Sequence, residues 1–133
     1  MESVYEAVGG DEFFRRLVET FYLKVEADAV LRPLFPPSLD DGKEKQYLFL
    51  RQYWGGPSTY SALYGHPRLR ARHLPFPIGQ SERDRWLSHM LAALEEIAPP
   101  EPIAAPMREH FASTSQFVIN RAEEIRPELE GGS

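Results

Sequence analysis

The chain has 133 residues, of which 42% are hydrophobic and 12% aromatic, and its net charge is −5. This size predicts a single domain spanning residues 1–133, large enough to bury about two-thirds of its unfolded surface. The negative charge argues against nucleic-acid binding, and the absence of cysteine from the sequence excludes disulfides, thiolate ligands and iron–sulfur clusters. The N-terminal residues match no signal peptide, and no apolar run approaches the about 20 residues of a membrane span. We therefore expect a cytoplasmic protein without membrane contact.

The first long helix is predicted by an apolar stripe that follows Gly9-Gly10. The two glycines allow a sharp turn from a short preceding helix, and Asp11 is the expected N-cap. The stripe has the i, i+3, i+4, i+7 spacing of one helix face. It consists of Phe14, Leu17, Val18, Phe21, Tyr22 and Val25.

The next segments alternate between helix and loop. Residues 30–35 predict a brief helical turn that Pro36-Pro37 ends, and residues 38–42 predict a polar loop. A second amphipathic helix is expected from about Lys43 to Trp54, because two glycines and a proline follow it. Residues 57–65 then predict another loop.

A short helix is expected between Pro67 and Pro75, with His73 near its end. Pro67 suits the first turn of a helix, whereas Pro75 disfavours helical geometry in the residue before it. A neutral imidazole beside apolar side chains, with arginines nearby, is the environment that a haem requires. A packed and hydrogen-bonded histidine is the simpler alternative for an isolated residue of this kind.

Two long helices are predicted in the C-terminal part. Ser81 is the expected N-cap of the first, and Asp84 three residues later approximates a capping box. Its apolar positions are Trp86, Leu87, Met90, Leu91, Leu94 and Ile97. The proline-rich run at 99–102 ends it. The last helix carries Met107, Phe111, Phe117, Val118, Ala122 and Ile125, and residues 126–133 should form a frayed tail. With no strand alternation, the chain is predicted to be all-α.

Four side chains on the inner faces of these helices are candidate pocket residues: Tyr22, Phe35, Gln46 and Trp86. Tyr22 and Trp86 are also compatible with ordinary core packing. Gln46 precedes an apolar run and would cost free energy if buried without partners, so either a solvated helix position or a polar pocket explains it.

Several motifs, in this order and spacing, resemble the group II truncated haemoglobins, those with a tryptophan in the distal pocket. The resemblance runs from Tyr5 to about Asn120 and implies a two-over-two helical sandwich around a haem. The shared motifs are Val8-Gly9-Gly10, Phe21-Tyr22, Leu34-Phe35-Pro36, Gln52-Tyr53-Trp54-Gly55-Gly56-Pro57, Gly65-His66-Pro67, Leu69-Arg70, Arg72-His73, Pro75-Phe76 and Glu82-Arg83-Asp84 with Trp86.

The resemblance assigns roles to individual residues. It implies that His73 is the proximal ligand of the haem iron. It implies a distal ligand-binding pocket formed by Tyr22, Gln46, Trp86 and Gly42, the glycine standing at the gate position. It also implies haem contacts through Phe35, Phe49, Leu69, Phe76 and Trp86, and propionate contacts through Lys45, Arg70 and Arg72. Some members of the family have tyrosine at the position of Phe35 and leucine at that of Gln46.

The implied function is a bacterial-type oxygen-binding protein that holds haem b non-covalently, since no cysteine is present to attach it. Several hydrogen-bond donors around a five-coordinate iron predict high O₂ affinity and slow release, whereas fast release would favour oxygen transport. CO, NO, cyanide, sulfide and peroxide are further expected ligands, and a reductase and a homodimer are left open.

Two other classes of protein are also compatible with the sequence. The first is a redox enzyme using the same pocket, either a nitric oxide dioxygenase or a peroxidase-like enzyme in which Trp86 and Tyr22 relay electrons. The second is a non-haem helical protein whose four histidines are structural or bind another metal, although their spacings match no zinc pattern. The histidines are His66, His73, His89 and His110.

Overall fold

The computed structural model describes residues 3–65 and 78–117, and within them the chain forms six α-helices and one 3₁₀ turn. The helices are α1 (Val4–Ala7), α2 (Asp11–Glu26), α3 (Asp40–Tyr53), α4 (Thr59–Tyr64), α5 (Gln80–Ile97) and α6 (Ala104–Phe117), and the 3₁₀ turn is Arg32–Leu34. The helix α2 packs against α3 and α5, while α5 packs against α6 and α3 against α4. This pairing of α2 and α3 with α5 and α6 confirms the predicted all-α, two-over-two fold.

The predicted stripe of α2 forms the centre of the core. Its five apolar members are fully buried, and Tyr22 keeps only 4% of its surface exposed. Burying an apolar side chain of this size contributes about 1.5–3 kcal/mol, so the stripe fixes the rotation of α2 between its neighbours. The facing helices contribute Met90, Ala93, Leu94, Met107 and Phe111 to the same core.

The apolar face of α5 is less deeply buried than predicted. Met90 and Leu94 are almost completely shielded from solvent, as expected. Trp86, Leu87 and Ile97 instead pack against the core while remaining partly exposed. These three side chains therefore lie at the edge of the core.

The start of α2 also differs from the prediction. Gly10 is the N-cap residue, and Asp11 is the first residue of the helix. The Asp11 carboxylate accepts hydrogen bonds from the Tyr5 hydroxyl at 2.5 Å and from the Arg51 guanidinium at 3.2 Å. The predicted N-cap role of Asp11 is wrong, because a tertiary contact uses its side chain.

The helix α3 begins at Asp40, inside the segment 38–42 that was expected to be a loop. Asp40 and Asp41 occupy its first turn, where negative charge is stabilised by the positive end of the helix dipole. The loop prediction is therefore wrong for residues 40–42.

The predicted loop at 57–65 contains the helix α4, so that prediction is also wrong for residues 59–64. Gln52 on α3 holds this helix in place through its side-chain amide. The amide donates to the Ser61 hydroxyl at 2.8 Å and accepts from the Ser61 backbone N–H at 3.0 Å.

The N-terminus of α5 is capped differently from the expectation. Gly79 is the N-cap, and its backbone N–H donates to Glu82 Oε1 at 2.8 Å. Ser81 lies in the first turn, and Asp84 accepts a hydrogen bond from the Gln80 amide at 2.9 Å. The predicted pairing of Ser81 with Asp84 is wrong, because glutamate is long enough to reach back to the N-cap amide.

Other predictions fall outside the described residues. They concern the histidine helix, which lies within 66–77, and everything after residue 117. The latter includes Val118, Ala122 and Ile125 and the predicted frayed tail at 126–133. Among the helices that the structure describes, none combines the length and apolar character needed to span a membrane.

The Asp28 carboxylate connects the end of α2 to α5 through hydrogen bonds. Its side chain is 4% exposed and accepts hydrogen bonds from the Val30 and Leu31 amides at 2.8 and 3.1 Å. Across the interface, His89 donates to it at 2.7 Å and Arg85 at 3.2 Å. Burial alone would raise the pKa of Asp28, but these hydrogen bonds outweigh it and hold the pKa well below its ordinary value.

We expect Asp28→Asn to lower the free energy of unfolding by about 2–4 kcal/mol at neutral pH, because it leaves two charge-assisted partners without a carboxylate. Asp40→Asn is the matched control, since Asp40 is exposed, and should cost less than about 1 kcal/mol. Denaturant unfolding at equal ligand loading measures both effects. Equal losses in the two variants would contradict the role of Asp28.

The same contact predicts acid sensitivity. Because the pKa of Asp28 is lower in the folded than in the unfolded state, its stabilisation is present above the ordinary carboxyl pKa of about 4 and is lost as the pH falls below that value. The stability difference between wild type and Asp28→Asn should therefore shrink on acidification. A difference that stays constant would overturn this assignment.

Candidate functional site

Tyr22, whose side chain is largely buried, supplies a hydroxyl near the end of the α2 stripe. Its ring packs edge-on against Phe21 at 5.2 Å and against Phe35 at 6.0 Å between centroids. Within the described part of the chain, no residue forms a hydrogen bond with its hydroxyl. Burial raises the pKa of Tyr22 to about 12, so the hydroxyl keeps its proton at neutral pH and can only act as a neutral donor or acceptor.

Gly42 faces this hydroxyl from α3. A Cβ atom at position 42 would lie 3.2 Å from Tyr22 Oη, which is tighter than most real Cβ contacts. The glycine therefore lets α3 and the hydroxyl approach each other closely. Gln46 lies one helical turn after Gly42 and consequently on the same face of α3.

Trp86 reaches the same region from α5. Its ring packs against Phe21 at 5.3 Å and against Phe111 at 6.2 Å, and the side chain is partly exposed. Its indole N–H forms no hydrogen bond in residues 3–65 and 78–117. Phe21 thus contacts both Tyr22 and Trp86.

Phe35 is held by the loop that follows the 3₁₀ turn. The Arg32 guanidinium donates to the carbonyl oxygens of Phe35, Pro36 and Pro37 at 3.4, 2.8 and 2.7 Å. These bonds satisfy a stretch of backbone that two prolines keep out of any helix. The Phe35 ring is thereby fixed against Tyr22.

Lys45 and Phe49 lie on the side of α3 that faces α4. Lys45 forms an ion pair with Asp41 at 3.2 Å, and its ammonium group lies 5.2 Å from the centre of the Tyr64 ring. Phe49 packs against Tyr60 at 5.5 Å. Tyr60 and Tyr64 lie one turn apart on α4. This i, i+4 spacing of aromatic residues is a helix signal that the prediction of a loop did not use.

The remaining predicted site residues, Leu69, Arg70, Arg72, His73 and Phe76, lie outside the described residues. Among the described histidines, His89 is bound to Asp28, and His110 stacks on Tyr53 at 4.2 Å. The described part of the chain contains no group of three potential metal ligands. His89 and His110 therefore have structural partners there.

The chain is similar to known proteins in sequence and in fold. The family described as bacterial-like globin matches residues 3–120. The chain is 41% identical to the group 2 truncated haemoglobin YjbI of Bacillus subtilis over 119 residues, covering 90% of this chain and 89% of that protein. The crystal structure of a haemoglobin from Chloroflexus aurantiacus is 56% identical, covers 91% of this chain and 100% of its own, and superposes with a TM-score of 0.90. A truncated oxygen-avid haemoglobin from Bacillus subtilis is 40% identical, with coverages of 90% and 100% and a TM-score of 0.85.

The unpartnered hydroxyl makes a prediction about stability. Removing it in Tyr22→Phe should change the free energy of unfolding by less than about 0.5 kcal/mol, because no hydrogen bond to a described residue is lost. Tyr47→Phe is the control, since the buried Tyr47 hydroxyl accepts a hydrogen bond from Arg51 at 3.2 Å and its removal should cost about 1 kcal/mol. Denaturant unfolding of both variants checks this. A clear loss of stability in Tyr22→Phe would mean that the hydroxyl has a structural partner.

Proposed function

Because this chain belongs to the bacterial-like globins, and within them to the group II truncated haemoglobins, we propose that it binds haem b non-covalently and retains O₂ with high affinity and slow release. Membership of the family implies haem-based binding of small ligands. The high affinity, the slow release and the residues that produce them are the proposal. The observation that carries it is the Tyr22 hydroxyl, which stands on a largely buried side chain, has no partner among the described residues and faces Gly42.

These residues fit a haem with a small ligand above it. The Tyr22 hydroxyl has no partner among the described residues, so it is available to donate a hydrogen bond to a ligand. Gly42 lies beside Tyr22 Oη, and the Phe35 ring packs edge-on against the Tyr22 ring. A diatomic ligand beside the hydroxyl would accept its hydrogen bond.

The proposed haem site combines the described and the remaining predicted residues. When bound, haem supplies an iron that reversibly coordinates diatomic gases. His73 is proposed to hold the iron, with a backbone carbonyl accepting its second ring N–H and orienting the imidazole. Phe35, Phe49, Leu69, Phe76 and Trp86 are proposed as contacts of the macrocycle, and Lys45, Arg70 and Arg72 as partners of the propionates. The exposed pair of Lys45 with Asp41 is of a kind that contributes little stability, so it does not prevent this role.

Three donors are proposed to retain the ligand. Tyr22 donates through its hydroxyl, Trp86 through its indole N–H and Gln46 through its amide. In a pocket from which aromatic side chains exclude water, each such bond is worth roughly 1–3 kcal/mol, or about one to two decades in release rate. The relative from Bacillus subtilis that is described as oxygen-avid supports the high affinity proposed for this chain.

A second candidate function is a redox enzyme that uses the same pocket, as a nitric oxide dioxygenase or in peroxide-driven oxidation. It is favoured by the contact of Trp86 with Phe111, which extends the aromatic cluster away from Tyr22. CO, NO, cyanide, sulfide and peroxide are proposed as further small ligands. Steady turnover with a reductase would distinguish the enzyme from a binding protein.

The proximal ligand can be tested by substitution. His73→Gly should lose haem or bind it weakly, and added imidazole should restore a ferrous haem spectrum, because imidazole replaces the missing side chain. His66→Gly, in the same segment, is the control and should keep a normal Soret band. A normal Soret band in the His73 variant together with its loss in the His66 variant would contradict the assignment.

The donor role of Trp86 predicts a ligand-specific effect. Trp86→Phe keeps an aromatic ring and removes the N–H, so stopped-flow measurements should show O₂ release about 10- to 100-fold faster. CO release should change less, because bound CO carries little negative charge for a donor to stabilise. Trp54→Phe, which alters the other tryptophan, should leave O₂ release unchanged. Equal acceleration of O₂ and CO release would indicate altered access of ligands to the pocket and would contradict the electrostatic explanation.

A further inference from the structure

A continuous series of aromatic rings leads from Trp86 to the protein surface. The Trp86 and Phe111 centroids are 6.2 Å apart, and those of Phe111 and His110 are 5.4 Å apart. His110 then stacks on Tyr53, with 4.2 Å between centroids and 27° between planes. We call these four residues the ring route; they connect α5, α6 and α3.

The two ends of the ring route have different surroundings. At the inner end, Trp86 contacts Phe21, which in turn contacts the buried Tyr22. At the outer end, Tyr53 is 53% exposed, whereas Tyr22, Tyr47 and Tyr60 are each less than 7% exposed. The route therefore joins the proposed ligand pocket to a tyrosine in contact with solvent.

We propose that Tyr53 is a surface redox site, at which oxidising equivalents from peroxide reduction in the pocket leave the protein through the ring route. This inference rests on the proposed function, because peroxide is reduced at the haem. The oxidant is hydrogen peroxide, which takes up two electrons and two protons and yields two molecules of water. Two Tyr53 side chains, from two copies of the protein, each give one electron and one proton. The resulting phenoxyl radicals join through a ring carbon–carbon bond to form dityrosine.

The ease of proton loss selects Tyr53 as the end of the route. A phenol that loses an electron must also release its proton, and the exposed Tyr53 can release it to water. Trp54 packs edge-on against both Tyr53 and His110, each at 5.1 Å, and would otherwise compete for the electron vacancy. Its indole N–H is buried and, in the described part of the chain, has no partner to accept a proton. An electron vacancy at Trp54 is therefore not stabilised by loss of the indole proton.

His110 is suited to its place in the route. Its side chain is partly buried, and its Nδ1 lies 3.3 Å from the Thr114 hydroxyl. Burial lowers the pKa of His110, so its ring is uncharged at neutral pH. A neutral ring stacked on Tyr53 does not oppose the passage of positive charge, as an imidazolium would.

The test uses the haem-loaded ferric protein treated with hydrogen peroxide. The readouts are the covalent dimer on a denaturing gel, dityrosine fluorescence and mass-spectrometric mapping of the cross-linked peptide. The wild type should form a dimer linked through Tyr53, and Tyr53→Phe should lose most of it. Tyr64→Phe, which removes another phenol from the neighbouring α4, should cross-link like the wild type.

A second variant tests the route and not only its end. His110→Leu keeps Tyr53 but removes the ring stacked on it, so dimer formation should slow markedly while the Soret band before peroxide addition stays unchanged. Circular dichroism verifies that each variant is folded. Unchanged cross-linking in Tyr53→Phe, a cross-link mapped to another tyrosine, or unchanged cross-linking in His110→Leu would each overturn the inference while leaving haem binding intact. Failure of the wild type to bind haem would overturn both this inference and the proposed function, and the Soret band shows it before peroxide is added.

Discussion

The simultaneous packing of α2 against α3 and α5 determines where the pocket residues lie. Five fully buried side chains fix the rotation of α2, and Tyr22 follows Phe21 directly in the chain. With Phe21 packed against Trp86, the Tyr22 hydroxyl lies beside Gly42. The anchoring of Asp28 to His89 at the end of α2 keeps the helix from sliding along α5. Core packing and pocket geometry are thus consequences of the same contacts.

Asp28 and Tyr22 place polar groups in the core in two different ways. Buried polar groups normally have hydrogen-bond partners, and the Asp28 carboxylate, with four of them, follows this rule. The Tyr22 hydroxyl has no partner among the described residues, although it is carried by a largely buried side chain. A hydroxyl without a protein partner is available to donate a hydrogen bond to a ligand. The contrast between the two residues is the physical basis of the proposed function.

Residue spacing predicted the long helices well because their apolar stripes are local patterns. The stripe of α2 and the buried residues Met90 and Leu94 of α5 are confirmed on this basis. Elements stabilised by distant contacts could not be predicted in this way. The helix α4 depends on bonds from Gln52, nine residues from Ser61, and Asp11 is used by a partner 40 residues away.

The candidate site was predicted chiefly by family resemblance. Helical spacing alone could not distinguish Tyr22 and Trp86 from ordinary core residues. The convergence of Gly42 and Tyr22 depends on the packing of α3 against α2, which no local pattern encodes. The stacking of His110 on Tyr53 likewise joins residues far apart in the sequence.

The central claim is that the Tyr22 hydroxyl donates a hydrogen bond to a small ligand in the pocket. The most direct measurement is the carbon–oxygen stretching frequency of CO in the haem-loaded protein, compared with that in Tyr22→Phe. A donor pointing at the ligand oxygen lowers this frequency, so the variant should show a shift to higher frequency. Identical frequencies in the two proteins would contradict the claim.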